Sequence, residues 1–109
     1  MTKPYVLEGL RRLGSEITTI QANVPVRPLD SYALEPAVIK IDAEGFELKV
    51  LEGARKTIKK HKPLLLLENN DWNRVSAYLA ALDYGCYQYM PEEDRLVPLF
   101  GETTNAFYL

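Results

Sequence analysis

Between Val38 and Ala54 the chain reads Val-Ile-Lys-Ile-Asp-Ala-Glu-Gly-Phe-Glu-Leu-Lys-Val-Leu-Glu-Gly-Ala. A short apolar strand closes on two acids, turns at a glycine and enters an amphipathic helix. A second apolar run, Leu64 to Leu67, follows one helix-length later, after Pro63. Strand, helix and strand in that order predict a parallel pair joined by a right-handed crossover. Open α/β sheets place their ligand sites at such strand-to-helix mouths. The fold expected here is therefore α/β, and the place to look for chemistry is the turn after Ile41.

The remaining elements fit the same plan. The helix is predicted over Glu44–Lys60, with Val50, Leu51, Ala54 and Ile58 on its apolar face and lysines opposite. Leu64–Glu68 is predicted as a strand buried on both faces. Asp71 caps a second helix, Trp72–Leu82, which Gly85 ends. Cys86–Met90 is a third strand, Pro91–Arg95 a charged loop, and Asn105–Leu109 a final strand. With no helix between the last two strands, the sheet is expected to be mostly parallel with a final antiparallel strand. Upstream, Tyr5–Leu13 has loosely helical spacing. The β-branched residues of Glu16–Val26 predict one strand, which Pro25 and Pro28 place at an edge or in an irregular position. Asp30 is read as the cap of a short helical turn.

Composition narrows the function classes. At 109 residues the chain is expected to be one domain, residues 1–109. Its 13 Lys and Arg against 15 Asp and Glu give a net charge of −2, so no electrostatic nucleic-acid surface is expected. No apolar run is long enough to cross a membrane. The single Cys86 precludes an internal disulfide and suits a reducing compartment. The N-terminus shows no secretory pattern, so a soluble, cytoplasmic chain is expected.

Three readings of the acids stand side by side. Asp42 and Glu44 cap the following helix, or they face a ligand at the sheet mouth, or they begin a divalent metal site. Without further ligands nearby, no metal residue is assigned. Gly45 lets the backbone turn sharply or approach a ligand. Lys40 interrupts an apolar strand, so it pairs with an acid at the mouth or runs past an edge. Trp72 sits at the same mouth, as packing or as a stacking surface.

These residues resemble the FkbM-type methyltransferases. The resemblance rests on Val38–Glu47, Val50-Leu51, Gly53-Ala54, Lys62-Pro63 before an apolar strand ending in Glu68, the earlier Val24–Asp30, and the closing Asn105–Leu109. It covers residues 24 to 109 in the family's order. It implies the C-terminal half of a class I (Rossmann-like) methyltransferase sheet and S-adenosylmethionine as cofactor. It also implies methyl transfer to a hydroxyl of a small-molecule or glycan acceptor. Asp42, Glu44, Lys40 and Glu68 take catalytic positions under that resemblance, and Asp42 and Gly45 cofactor-binding ones. The family's Gly-rich cofactor turn has no counterpart among glycines 9, 14, 45, 53, 85 and 101. The chain is therefore expected to be a fragment, inactive alone. A non-catalytic α/β interaction module is the alternative. The strand ending at Asp42 would lack its neighbour, which predicts an uncovered sheet edge and a possible homodimer through it.

Overall fold

The computed structural model describes Gly14 and residues 18–99 and 103–109. The helical reading of Tyr5–Leu13 lies outside them, as do Glu16 and Ile17 of the expected first strand. A 3-10 turn, Leu29–Tyr32, precedes five strands: β1 Val38–Ile41, β2 Leu64–Glu68, β3 Cys86–Met90, β4 Arg95–Pro98 and β5 Asn105–Tyr108. Three helices lie between β1 and β3: α1 Glu47–Gly53, α2 Arg55–His61 and α3 Trp72–Ala80.

The strand order is β1-β2-β5-β3-β4. Only β1 and β2 pair in parallel; β2 with β5, β5 with β3, and β3 with β4 are antiparallel. The expectation of a mostly parallel sheet is thus corrected. β1, β2 and β3 do run the same way, as helical crossovers require. But β5 inserts between β2 and β3 and runs against both, which removes the second parallel pair. β4 is an edge strand within what read as a charged loop and the residues after it; Asp94 makes the hairpin turn in left-handed conformation, φ 48°. Pro98 is tolerated there because the outer side of an edge needs no donor.

The three helices cover one face of the sheet. Ile41, Leu65, Leu67, Ala106 and Tyr108 are buried beneath Leu51, Ala54, Ile58, Val75 and Leu79. The other face carries Val38, Lys40, Leu64, Leu66, Tyr87 and Phe107 in register. No helix covers it among the described residues, and Val38 is 61% exposed. The expectation that β2 is buried on both faces fails here, because Leu64 and Leu66 alternate outward as half-buried side chains.

The single helix expected over Glu44–Lys60 is two. Ala54 leaves helical geometry (φ −113°, ψ 8°), and α2 starts afresh at Arg55. Gly53 sits against Pro28, whose Cβ would lie 3.1 Å from any Cβ added there. The break frees the first amides of α2, and Asp30 takes them. Its carboxylate accepts from Lys56 N–H (3.1 Å), Thr57 N–H (2.9 Å) and the Thr57 hydroxyl (2.8 Å). Asp30 is therefore a cap, but for a helix 26 residues further on rather than for its own turn. Asp71 stands at the N-terminus of α3 without a side-chain cap bond; it pairs with Arg74 at 3.5 Å instead. The α3 helix ends at Ala80, before Gly85; Asp83, at φ 65°, makes the reversal. The extended strand expected before Val26 does not form over residues 18–26, where Ile20, Val24 and Val26 are exposed. β-branched residues favour a strand only where a ladder is available, and none lies alongside.

Candidate functional site

β1 and β2 end side by side, with Ile41 opposite Leu67. Their parallel pairing brings Asp42 and Glu68 to the same edge of the sheet. One carboxylate oxygen each from Asp42, Glu44 and Glu68 lie within 4.8 Å of one another. The family resemblance placed these three acids at the site, and the fold brings them together. Among the described residues no histidine or cysteine joins them. An organic cation answers such a group as well as a metal does, so no metal is assigned.

The turn that delivers Glu44 is a tight one. Phe46 N–H donates to Ala43 C=O at 3.1 Å, and both central residues are left-handed, Glu44 at φ 52° and Gly45 at φ 96°. A Cβ on Gly45 would meet open space, so conformation rather than crowding requires glycine here. Glu44 holds a conformation that costs a side-chain-bearing residue about 1–2 kcal/mol. The capping reading of the two acids is not observed: among the described residues no α1 amide donates to Asp42 or Glu44, and the N-cap position is Phe46.

Charge crowding shows in the proton affinity of Glu68. A hydrogen bond shared with Asp42 and the repulsion of its charge come first, then partial burial; together they raise Glu68 above its ordinary value of 4.5. The nearby Asn70 amide opposes the rise, and the Glu44 charge adds to it. The fold thus favours protonated Glu68. Its contribution to stability is complete below pH 4.5 and is lost as pH rises through the folded value.

Below the acids a cleft of about 270 Å³ runs onto the uncovered sheet face, lined by Lys40, Asp42, Leu66, Glu68, Thr104 and Asn105. It continues into a groove of about 350 Å³, where Lys40 and Leu66 meet Tyr89 and Phe107. Lys40 is exposed on this face and makes no ion pair among the described residues. Of its two readings, the edge position is the one observed. Trp72 is half-buried at the start of α3. Cys86 packs against the core beside Tyr108, away from the acids.

One residue at the site escaped the sequence reading. Glu47 is 1% exposed. Its Oε1 accepts from Ala43 N–H (3.1 Å) and from Asn70 Nδ2 (3.0 Å). The signal was present: positions 47, 51, 54 and 58 form one helical stripe, and Glu47 occupies its first, buried position.

The methyltransferase FkbM domain model matches residues 4–93. This chain belongs to that family. The match begins twenty residues before the resemblance read from the sequence and stops ahead of β5. A crystal structure of methyltransferase FkbM from Methylobacillus flagellatus KT is similar, with a TM-score of 0.57 and 27% identity over 76% of this chain. The similarity spans 22% of that protein's length. No curated protein sequence matches. The mixed sheet with its helices is thus similar to part of one solved FkbM methyltransferase, and the acid-bearing turn falls inside the segment that the family model matches.

Proposed function

We propose that this chain is the acceptor-side, C-terminal half of a class I methyltransferase that uses S-adenosylmethionine and methylates a hydroxyl. The observation that carries the reading is the Asp42–Glu68 pair at the ends of adjacent parallel strands, in a family of methyltransferases. Asp42 is the base that receives the hydroxyl proton, and Glu68 stands beside it with its proton affinity raised. Glu44 adds negative charge at the mouth, and Lys40 orients the acceptor along the cleft. Gly45 lets the backbone come close to the cofactor.

The fit to the cofactor is one-sided. Three carboxylates at the mouth suit a cationic sulfonium, which when bound supplies the transferable methyl group. No Gly-rich strand-to-helix turn to hold the nucleoside exists among the described residues. Calorimetric titration of this chain with S-adenosylmethionine is expected to give weak binding or none. An N-terminally extended form carrying such a turn is expected to bind saturably. Tight binding by the chain alone would show that the cofactor site lies elsewhere.

Two further readings accompany this one. No helix among the described residues is long and apolar enough to cross a membrane, and the free Cys86 suits a reducing, cytoplasmic setting. Among the described residues β1 is a sheet edge that residues 18–28 leave uncovered, which favours pairing of two copies through it. Light scattering is expected to show a concentration-dependent dimer. A monomer at high concentration, with the amides of Val38–Ile41 protected from exchange, would exclude that pairing.

A further inference from the structure

We infer that Glu47 is a positioning residue, whose buried carboxylate fastens the turn carrying Asp42 and Glu44 to the loop following Glu68. The inference rests on the reading of Asp42 and Glu68 as the working pair. Its geometry, however, stands without it.

The two acids sit on separate segments. Asp42 ends β1, and Glu68 ends β2, whose following loop leads into α3. Strand pairing fixes Ile41 against Leu67 and reaches no further. Beyond that register, the turn after β1 is left-handed at two successive residues. Glu47 spans the gap. One oxygen accepts from Ala43 N–H, the amide between the two acids of the turn, and from Asn70, two residues past Glu68. Asn70 N–H in turn donates to the backbone carbonyl of Glu68 at 3.1 Å. The chain of contacts therefore runs from the Asp42 turn through Glu47 and Asn70 to Glu68.

Packing economy argues against a merely structural role. Glu47 stands in the apolar stripe of Leu51, Ala54 and Ile58, where leucine would bury more favourably. A buried carboxylate is commonly less stabilising than a well-packed apolar side chain of similar volume. Its second oxygen, Oε2, is buried with no partner among the described residues. A leucine there would keep the stripe and delete the brace.

That difference defines the experiment. Carbon-detected NMR titration of the Glu68 carboxyl, in the full chain, reads the Asp42–Glu68 approach without any activity assay. The wild type is expected to titrate above ordinary carboxylates. Glu47→Gln, which keeps an acceptor oxygen in place, is expected to do the same. In Glu47→Leu the Glu68 midpoint is expected to fall toward the ordinary range, with melting temperature held or raised. A folded Glu47→Leu whose Glu68 titrates as in the wild type would overturn the inference. So would a wild-type Ala43 amide unprotected from hydrogen exchange, a measurement that needs no variant. A fully active Asp42→Asn enzyme would instead remove the proposed base and leave the brace standing.

Discussion

Asp42→Asn is expected to lower turnover by about 10²–10⁴-fold in a form of the protein that carries the cofactor-binding half. Its melting temperature should hardly change. Location separates a chemical role for Asp42 from a structural one. Asp42 is exposed, accepts from no α1 amide among the described residues, and lies near Glu68 at the mouth of the cleft. Asparagine keeps the shape and can still hydrogen-bond Glu68, but it takes no proton from a hydroxyl. A pH–rate profile separates the roles, because loss of a base removes the rise on the acidic limb. Near-normal turnover by the variant would leave Asp42 as one charge among three and move the search for the base elsewhere.

The largest stability effect is expected at Asp30. Asp30→Ala removes all three hydrogen bonds at the start of α2. Loss of a helix cap costs about 1–2 kcal/mol, which corresponds to a fall in melting temperature of roughly 4–16 °C for a domain of this size. The effect has a pH signature. Partial burial pushes the Asp30 carboxyl up, but bonds from Thr57 backbone, Thr57 hydroxyl and Lys56 backbone outweigh it and hold the group below 3.8. A depressed carboxylate stabilises the fold above its unfolded value, and that contribution is lost as pH falls through the folded one. Wild type and variant should therefore converge in melting temperature on acidification and differ fully at neutral pH. A constant gap across that range would show that the loss comes from packing rather than from the charge.

The strands were legible where their boundaries were chemical. Leu64–Glu68 lies between Pro63 and two asparagines, and β2 occupies that span; Cys86–Met90 lies between Gly85 and Pro91, and so does β3. Pairing order was not legible, because adjacency depends on long-range contacts that no local pattern encodes. The helix break at Ala54 escaped for a similar reason, since its causes, Pro28 against Gly53 and Asp30 on Thr57, lie some 25 residues upstream. At the site, Asp42 and Glu44 could be placed together at one strand end, whereas Glu68 joined them only through the family resemblance. Glu47 was hidden by its type: a glutamate in a helix reads as solvent-facing unless its stripe is counted.

The insertion of β5 between β2 and β3 bears on how the protein is made. During synthesis β1, β2 and the helices emerge first, then the β3–β4 hairpin. Neither group can be hydrogen-bonded to the other until residues 105–108 leave the ribosome, since β5 is the strip that joins them. Until then β2 presents an open edge of four leucines, the kind of transient surface that recruits chaperones or a neighbouring nascent chain. The sheet is closed by its last strand rather than grown outward from its first.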